Sequence, residues 1–485
     1  MSSAELYKAY KTKMQKIADV KYASAVLQWD QETYLPPKGN DSRGRQIATL
    51  SEIAHQQFTD KKTGDLLTEL NGKADLSSHE KRNVELSLED YNRGKKLSAV
   101  FVRKMSESVN RSYHAWAKAR SENSFTTFQQ PLHELIQLKQ QETDMLGYEH
   151  HPYNALMNDY DKGLTVAAVD IIFNDLRPRL SQLFGAINKK SPVDSSLLHQ
   201  YFNKEDQWKF GMEILKRIGF DFEAGRQDIS LHPFTTNFSS TDVRVTTRID
   251  EEDFSNMTWS CIHEGGHALY EQGLPPEQYG LPLGEYCSLS IHESQSRLWE
   301  NCIGRSFPFW KHNFKLLKSL FPRQVQQVGA KRFYKAINKV APSLIRTDAD
   351  ELTYHFHVMI RYEIEKMLIE GSIGTKDIPA YWNEHYQKYL GVHVPDDRQG
   401  CLQDIHWSHG SFGYFATYSL GSMYAVQLYA AIQKENPSIE VEISSGDFRF
   451  IQQWLKDNIY RHGRYFSSAD LCKKATGETL QPGFF

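Results

Sequence analysis

The residues of this chain best suited to chemistry lie in Thr258 to Gly273, TWSCIHEGGHALYEQG. His263 and His267 stand four apart, so on a helix both imidazoles leave one face, a turn from each other. Two nitrogens so placed suit a single Zn2+ at roughly 2.0–2.1 Å. Glu264 can lean toward a metal-bound water without taking a ligand position, which makes it the general base of an HExxH arrangement. Gly265 and Gly266 cost a helix on the order of 1 kcal/mol each relative to alanine. They imply that something, substrate or another element, approaches that backbone closely. The alternative, a solvated helix with two incidental histidines, leaves the glycines unexplained.

A third ligand is required. The metzincin continuation needs glycine at 270 and histidine at 273, where this chain has Tyr270 and Gly273. Glu271 shares the helical face, but ligands at i, i+4 and i+8 span about 12 Å of axis and cannot converge on one ion. The ligand must come from a second helix, and Ser288 to Gly304, SLSIHESQSRLWENCIG, supplies one. Ser288 or Ser290 can cap it, and Gly304 can close it. Glu293 lies in its first turns; Glu285 and Glu300 are rivals that spacing does not dismiss, and Glu293 could instead pair with Arg297 at i+4.

The elements that must hold these side chains are mostly helical. Periodicity predicts helices at Ala4–Trp29, Arg43–Phe58, Ser77–Asn92, Ser98–Ser121, Phe125–Leu146, Val166–Asn188 and Ser195–Ile218. Beyond Gly304 it predicts Pro322–Ala341, Asp350–Glu370, Ile378–Leu390, Ser411–Lys434 and Ser445–Asn458. The exception is Gln227–Asp250, whose threonines, valines and alternation in DVRVTTRI suit a small antiparallel sheet just before the histidine helix. The expected fold is mainly α: one body over residues 1–485, two lobes flanking a deep groove, and that sheet beside the metal.

Composition bounds the function. The 485 residues are 40% hydrophobic and 24% charged, as in an ordinary globular protein, and a net charge of -3 gives no footprint for nucleic acid. No run approaches the 18 apolar residues of a membrane span, and MSSAELYKAYKTKMQK has no secretory apolar core. Five scattered cysteines, none in a CxxC pair, argue for reduced thiols in a cytoplasmic protein.

Six ordered motifs then carry a resemblance: HPF (His232–Phe234), DVRVT (Asp242–Thr246), HEGGH (His263–His267), HESQ (His292–Gln295), IRTDAD (Ile345–Asp350) and GCLQDIHW (Gly400–Trp407). Together they resemble the carboxypeptidase Taq family of zinc metallocarboxypeptidases over essentially the full length. A departure, Leu35 where that family usually has methionine, lies outside the metal site. The resemblance implies an architecture similar to neurolysin and angiotensin-converting enzyme, a homodimer, and Zn2+ with Co2+ able to replace it. It also implies Glu293 as third ligand and peptide substrates with a free C-terminal carboxylate.

Metal-assisted hydrolysis also needs a donor for the oxyanion, and Tyr418 and His406 are candidates. An exopeptidase needs a fixed cation for the terminal carboxylate, a task suited to the planar fork of arginine. Arg346 is the first choice, with the resemblance favouring it; Arg244 and Arg297 follow. For each, an ion pair with a neighbouring acid such as Asp348 or Asp350 is the structural alternative. His232 either shapes the site or fixes the turn before the sheet. The reading is a broad-specificity carboxypeptidase. The alternatives are a zinc endo-oligopeptidase acting on short peptides and a non-catalytic scaffold, which the intact Glu264 argues against.

Overall fold

The computed structural model describes residues 1–485, apart from the side chains of residues 37, 41 and 99. The chain forms two compact units. One comprises Met1–Gly94, Asp194–Ile337 and Gly421–Phe485; the other comprises Lys95–Val193 and Asn338–Leu420. Both are dominated by helices, as the 3.6-residue periodicity requires. Among the described residues, no helix is long and apolar enough to cross a membrane.

The first unit opens with Ser3–Thr33, capped by Ser2 and Glu5 in a reciprocal box. Its Leu6 and Tyr10 pack with Leu67, Leu70, Val84, Tyr91 and Leu281. The histidine helix runs Phe254–Gly273 and starts where the Asp253 carboxylate accepts from the Ser255 N–H. Its first residue, Phe254, sits among Phe202, Phe210, Phe321 and Phe333. Such aromatic pairs contribute about 0.5–1.5 kcal/mol each beyond their buried area, so this end of the helix is rigidly seated.

The sheet precedes that helix: β1 (Gly225–Ile229), β2 (Thr235–Ser239) and β3 (Asp242–Thr247). Its order is β1-β3-β2, with β1 parallel and β2 antiparallel to β3. The expected all-antiparallel sheet is therefore corrected to a mixed one. Val243 and Val245, both buried, lie in β3, the central strand. The chain between β1 and β2, Ser230–Phe234, crosses over and is pinned on β3, where the Phe234 N–H and the Ser230 hydroxyl both bond Thr246 Oγ1.

Several helix boundaries also differ from expectation. The stretch from Ser195 becomes helical only at Lys204, where Asn203 caps the N–H groups of Glu205 and Asp206. Pro322–Ala341 is two pieces, Pro322–Val325 and Ala330–Ile337, separated around Gly329. Phe307–Leu320 is an additional helix, with Pro308 in its first turn where a missing N–H costs nothing. Ser288–Gly304 is capped by Ser288 and is α-helical over Leu289–Arg297, then widens into a π segment at Leu298–Gly304.

In the second unit, Tyr354–Glu370 is buried on nearly every face, with His357, Arg361 and Glu365 among its interior residues. A charged group inside a helix bundle needs internal partners, and Glu365 finds three. Glu365 accepts from the Trp407 indole and the Gly413 N–H, each at 2.8 Å, and from the Tyr153 hydroxyl.

Candidate metal centre

His263, His267 and Glu293 come together in the first unit, with one donor atom from each lying within 4.8 Å of the others. Glu293 Oε2 is 3.7 Å from His263 Nε2 and 3.5 Å from His267 Nε2. A tetrahedral ion with bonds of roughly 2.0–2.1 Å places its ligands roughly 3.4 Å apart, so the three donors fit one small divalent cation. Two glycines allow the approach. A Cβ on Gly266 would fall 2.6 Å from the Gln295 carbonyl oxygen and 2.7 Å from Ser296 Cα, so the two ligand-bearing helices touch backbone to backbone there. A Cβ on Gly421 would fall 2.5 Å from Glu293 Cγ, so a third helix closes against the carboxylate.

The three donors are oriented by surrounding charged groups. The His263 Nδ1–H faces Glu300 Oε2 at 2.8 Å, which leaves Nε2 for the ion. Glu300 is braced by Arg297 at 3.3 Å and by Arg305 at 3.0 Å. Arg297 also donates to Glu293 Oε1 at 2.6 Å, leaving Oε2 for the ion. The π segment fits this purpose: its wide turn is closed by the Arg305 N–H donating to the Glu300 carbonyl at 2.9 Å, with both side chains meeting. His267 is held differently. Its ring stacks on His292 at 4.4 Å between centroids, and His292 is tied by Nε2 to Glu271 at 2.8 Å.

The charges around the three donors suit a cation. Burial works against a charge on His263, yet Glu293 and Glu300 outweigh it and hold its pKa above the ordinary value. The same two carboxylates attract a metal ion to that ring, which binds it in the neutral form. His267 is pushed down to about 3 by burial and the neighbouring His292, so its lone pair is free at neutral pH. Burial works against the Glu293 and Glu300 carboxylates too, but Arg297 above all holds both well below the usual range. Glu264 is buried, and burial raises its pKa, the direction a general base needs. Replacing Glu300 by glutamine should weaken metal binding about 10- to 100-fold, the usual effect of losing a partner that orients a ligand. A titration against a competing chelator measures it.

The remaining expected site residues fall into separate places. Arg346, in the second unit, is buried and bonds Asp404 Oδ1 at 3.0 Å and the Tyr354 hydroxyl at 2.9 Å. The acid expected to neutralise it was Asp348 or Asp350; Asp350 instead caps Thr353 and Leu352. Asp404 Oδ2 accepts from Arg361 at 2.6 Å, so two guanidinium groups share one carboxylate and the trio carries net positive charge. The Arg346 guanidinium lies 4.8 Å from the Tyr418 ring centroid, and the Tyr418 hydroxyl is 3.1 Å from His406 Nε2. Burial, with Arg346 nearby, lowers the His406 pKa to about 3.

Arg244 is engaged within its own strand, bonding Asp242 at 2.6 and 3.1 Å beneath the Trp29 ring. His232 is exposed, its carbonyl accepting from Ser230 at 2.6 Å. Arg297 bonds Glu293 and Glu300. Asp404 lies in the GCLQDIHW stretch, but no spacing links it to residues 346 and 361, so its joint role is not readable from the sequence.

Comparison with known proteins shows the family. A family model described as carboxypeptidase Taq (M32) metallopeptidase matches residues 9–485. The Bacillus subtilis (strain 168) protein named carboxypeptidase 1 is 37% identical over 472 residues, covering 96% of this chain and 94% of that protein. The M32 carboxypeptidase structure from Deinococcus radiodurans R1 is 38% identical with a TM-score of 0.96, over 99% of this chain and 97% of that one. A structure described as CHT is 57% identical with a TM-score of 0.97, over 99% of this chain and 98% of that one. By sequence and by fold, the chain belongs to the carboxypeptidase Taq (M32) family of metallopeptidases and is a metallocarboxypeptidase.

Proposed function

We propose that the enzyme removes C-terminal residues from peptides with broad specificity, using Zn2+ (with Co2+ able to replace it) held by His263, His267 and Glu293. The observation that carries this reading is the three-donor cluster with Glu264 buried beside its first histidine. A divalent ion bound there supplies a Lewis acid that polarises the scissile carbonyl and acidifies water. Glu264 takes the water proton and later delivers it to the leaving amine. The Tyr418 hydroxyl and His406, linked to each other, are the proposed donors to developing negative charge. His232 and Arg244 are assigned supporting parts in shaping the site.

Arg346 is the proposed receptor for the terminal carboxylate. Its support is electrostatic: Asp404 fixes the guanidinium, yet Arg361 shares that carboxylate, so positive charge remains for an anion. The reading extends to a cytoplasmic homodimer with the neurolysin-like architecture that the resemblance implies.

The test compares a blocked dipeptide with its C-terminal amide. A charge-assisted bond to the carboxylate predicts that the acid is cleaved about 10- to 100-fold faster, and that Arg346→Gln collapses this preference. Equal rates for acid and amide in the unmutated enzyme would remove the carboxylate receptor and favour an endo-acting oligopeptidase.

A further inference from the structure

We propose that Thr235 is the positioning residue for the general base, a role that rests on Glu264 being that base. Thr235 opens β2 directly after HPF, and its hydroxyl lies 2.6 Å from Glu264 Oε2 and 3.0 Å from the Glu264 carbonyl oxygen. One hydroxyl proton serves one acceptor, and the shorter contact, to a carboxylate, is the stronger. A glutamate side chain has three torsions, and burial alone does not choose among them. The bond to Thr235 fixes Oε2 and leaves Oε1 for the proton the base must take.

The donor is itself rigid. Thr235 is paired with Val245 of the central strand. The residue before it is locked to Thr246, since the Phe234 carbonyl accepts the Thr246 N–H at 2.9 Å. A β-branched side chain in a strand has few χ1 choices, so fixing the backbone fixes the hydroxyl. The same face of β2 continues two residues on, where Asn237 donates to Glu271 Oε2 at 2.6 Å. Glu271 in turn holds His292, which stacks on the ligand His267. One face of a short strand therefore holds two buried carboxylates of the metal helix, one serving the base and the other backing a ligand. Two effects are therefore separable: loss of the Thr235 hydroxyl acts on proton transfer, whereas displacement of β2 as a whole acts on metal affinity as well.

The experiment compares Thr235→Val, which keeps the shape, Thr235→Ala, which adds no methyl, and Thr235→Ser, which keeps the hydroxyl, with Glu264→Gln in parallel. The expected result is a kcat lowered about 10- to 100-fold in Thr235→Val and Thr235→Ala, the loss typical of one bond to a charged group. KM and metal affinity should stay within about twofold of the unmutated enzyme, on the scale of effects from untouched contacts. Thr235→Ser should recover most of the rate. In crystals of metal-free Thr235→Val the Glu264 carboxylate should occupy more than one rotamer. Full kcat in both Thr235 variants, alongside an inactive Glu264→Gln, overturns the positioning role and leaves the base assignment intact. Metal affinity falling in step with kcat makes Thr235 a packing residue and overturns it equally. An active Glu264→Gln overturns the base assignment, and the proposal with it.

Discussion

Glu264→Gln is expected to lower kcat by about 10^2–10^4-fold, the range contributed by a general base, while metal content stays near one ion per chain. The substitution is nearly isosteric and leaves the three donor atoms of His263, His267 and Glu293 untouched. It also retains an oxygen to accept the Thr235 hydroxyl, so the local packing should survive. Only the capacity to take a proton is lost. Steady-state kinetics together with elemental analysis separates this outcome from a damaged metal site, in which rate and metal would disappear together. Unchanged turnover would rule out the assigned base.

Glu293→Gln should act the other way, through the metal. Glu293 supplies one of three donors and the only negative charge among them, and the amide keeps the shape but not the charge. Metal affinity is expected to fall by more than about 100-fold, beyond the usual effect of a residue that only orients a ligand. Activity at limiting metal should vanish and be partly restored at high metal concentration. The change also removes a charge from a dense buried network. Arg297 bonds Glu293 at 2.6 Å and Glu300 at 3.3 Å, so the substitution removes one of the carboxylate charges facing its guanidinium. Breaking one partner of a buried ion pair is destabilising, so the metal-free variant should also melt below the metal-free parent. Competitive chelation and thermal unfolding of both metal-free proteins provide the two readouts.

The parts of this site that were legible in the sequence are those set by local geometry. His263 and His267 share a face because they lie one helical turn apart, and Glu264 is placed by adjacency. The glycine pair correctly signalled a close approach, but its nature needed the fold: Gly266 meets the backbone at Gln295 and Ser296, and Gly265 meets Leu215 and Ile218. Spacing left Glu285, Glu293 and Glu300 open because no periodicity relates positions on two different helices. In the structure Glu300 orients His263 instead of joining the cluster, and Glu285 pairs with Arg464 at 2.8 Å. The sheet was placed correctly in sequence, and its β2–β3 pair is antiparallel as expected, but β1 runs parallel to β3, since alternation marks a strand and carries no information about which neighbour it pairs with. Thr235–Glu264 and Arg346–Asp404–Arg361 were invisible for the same reason. Each joins residues far apart in the chain through side chains that obey no local rule.

The most direct measurement is anomalous diffraction at the zinc edge from crystals grown with one equivalent of Zn2+. A single ion is expected at about 2.0–2.2 Å from His263 Nε2, His267 Nε2 and a Glu293 oxygen. An ion bound elsewhere, with those three side chains free of metal in an active enzyme, would contradict the assignment.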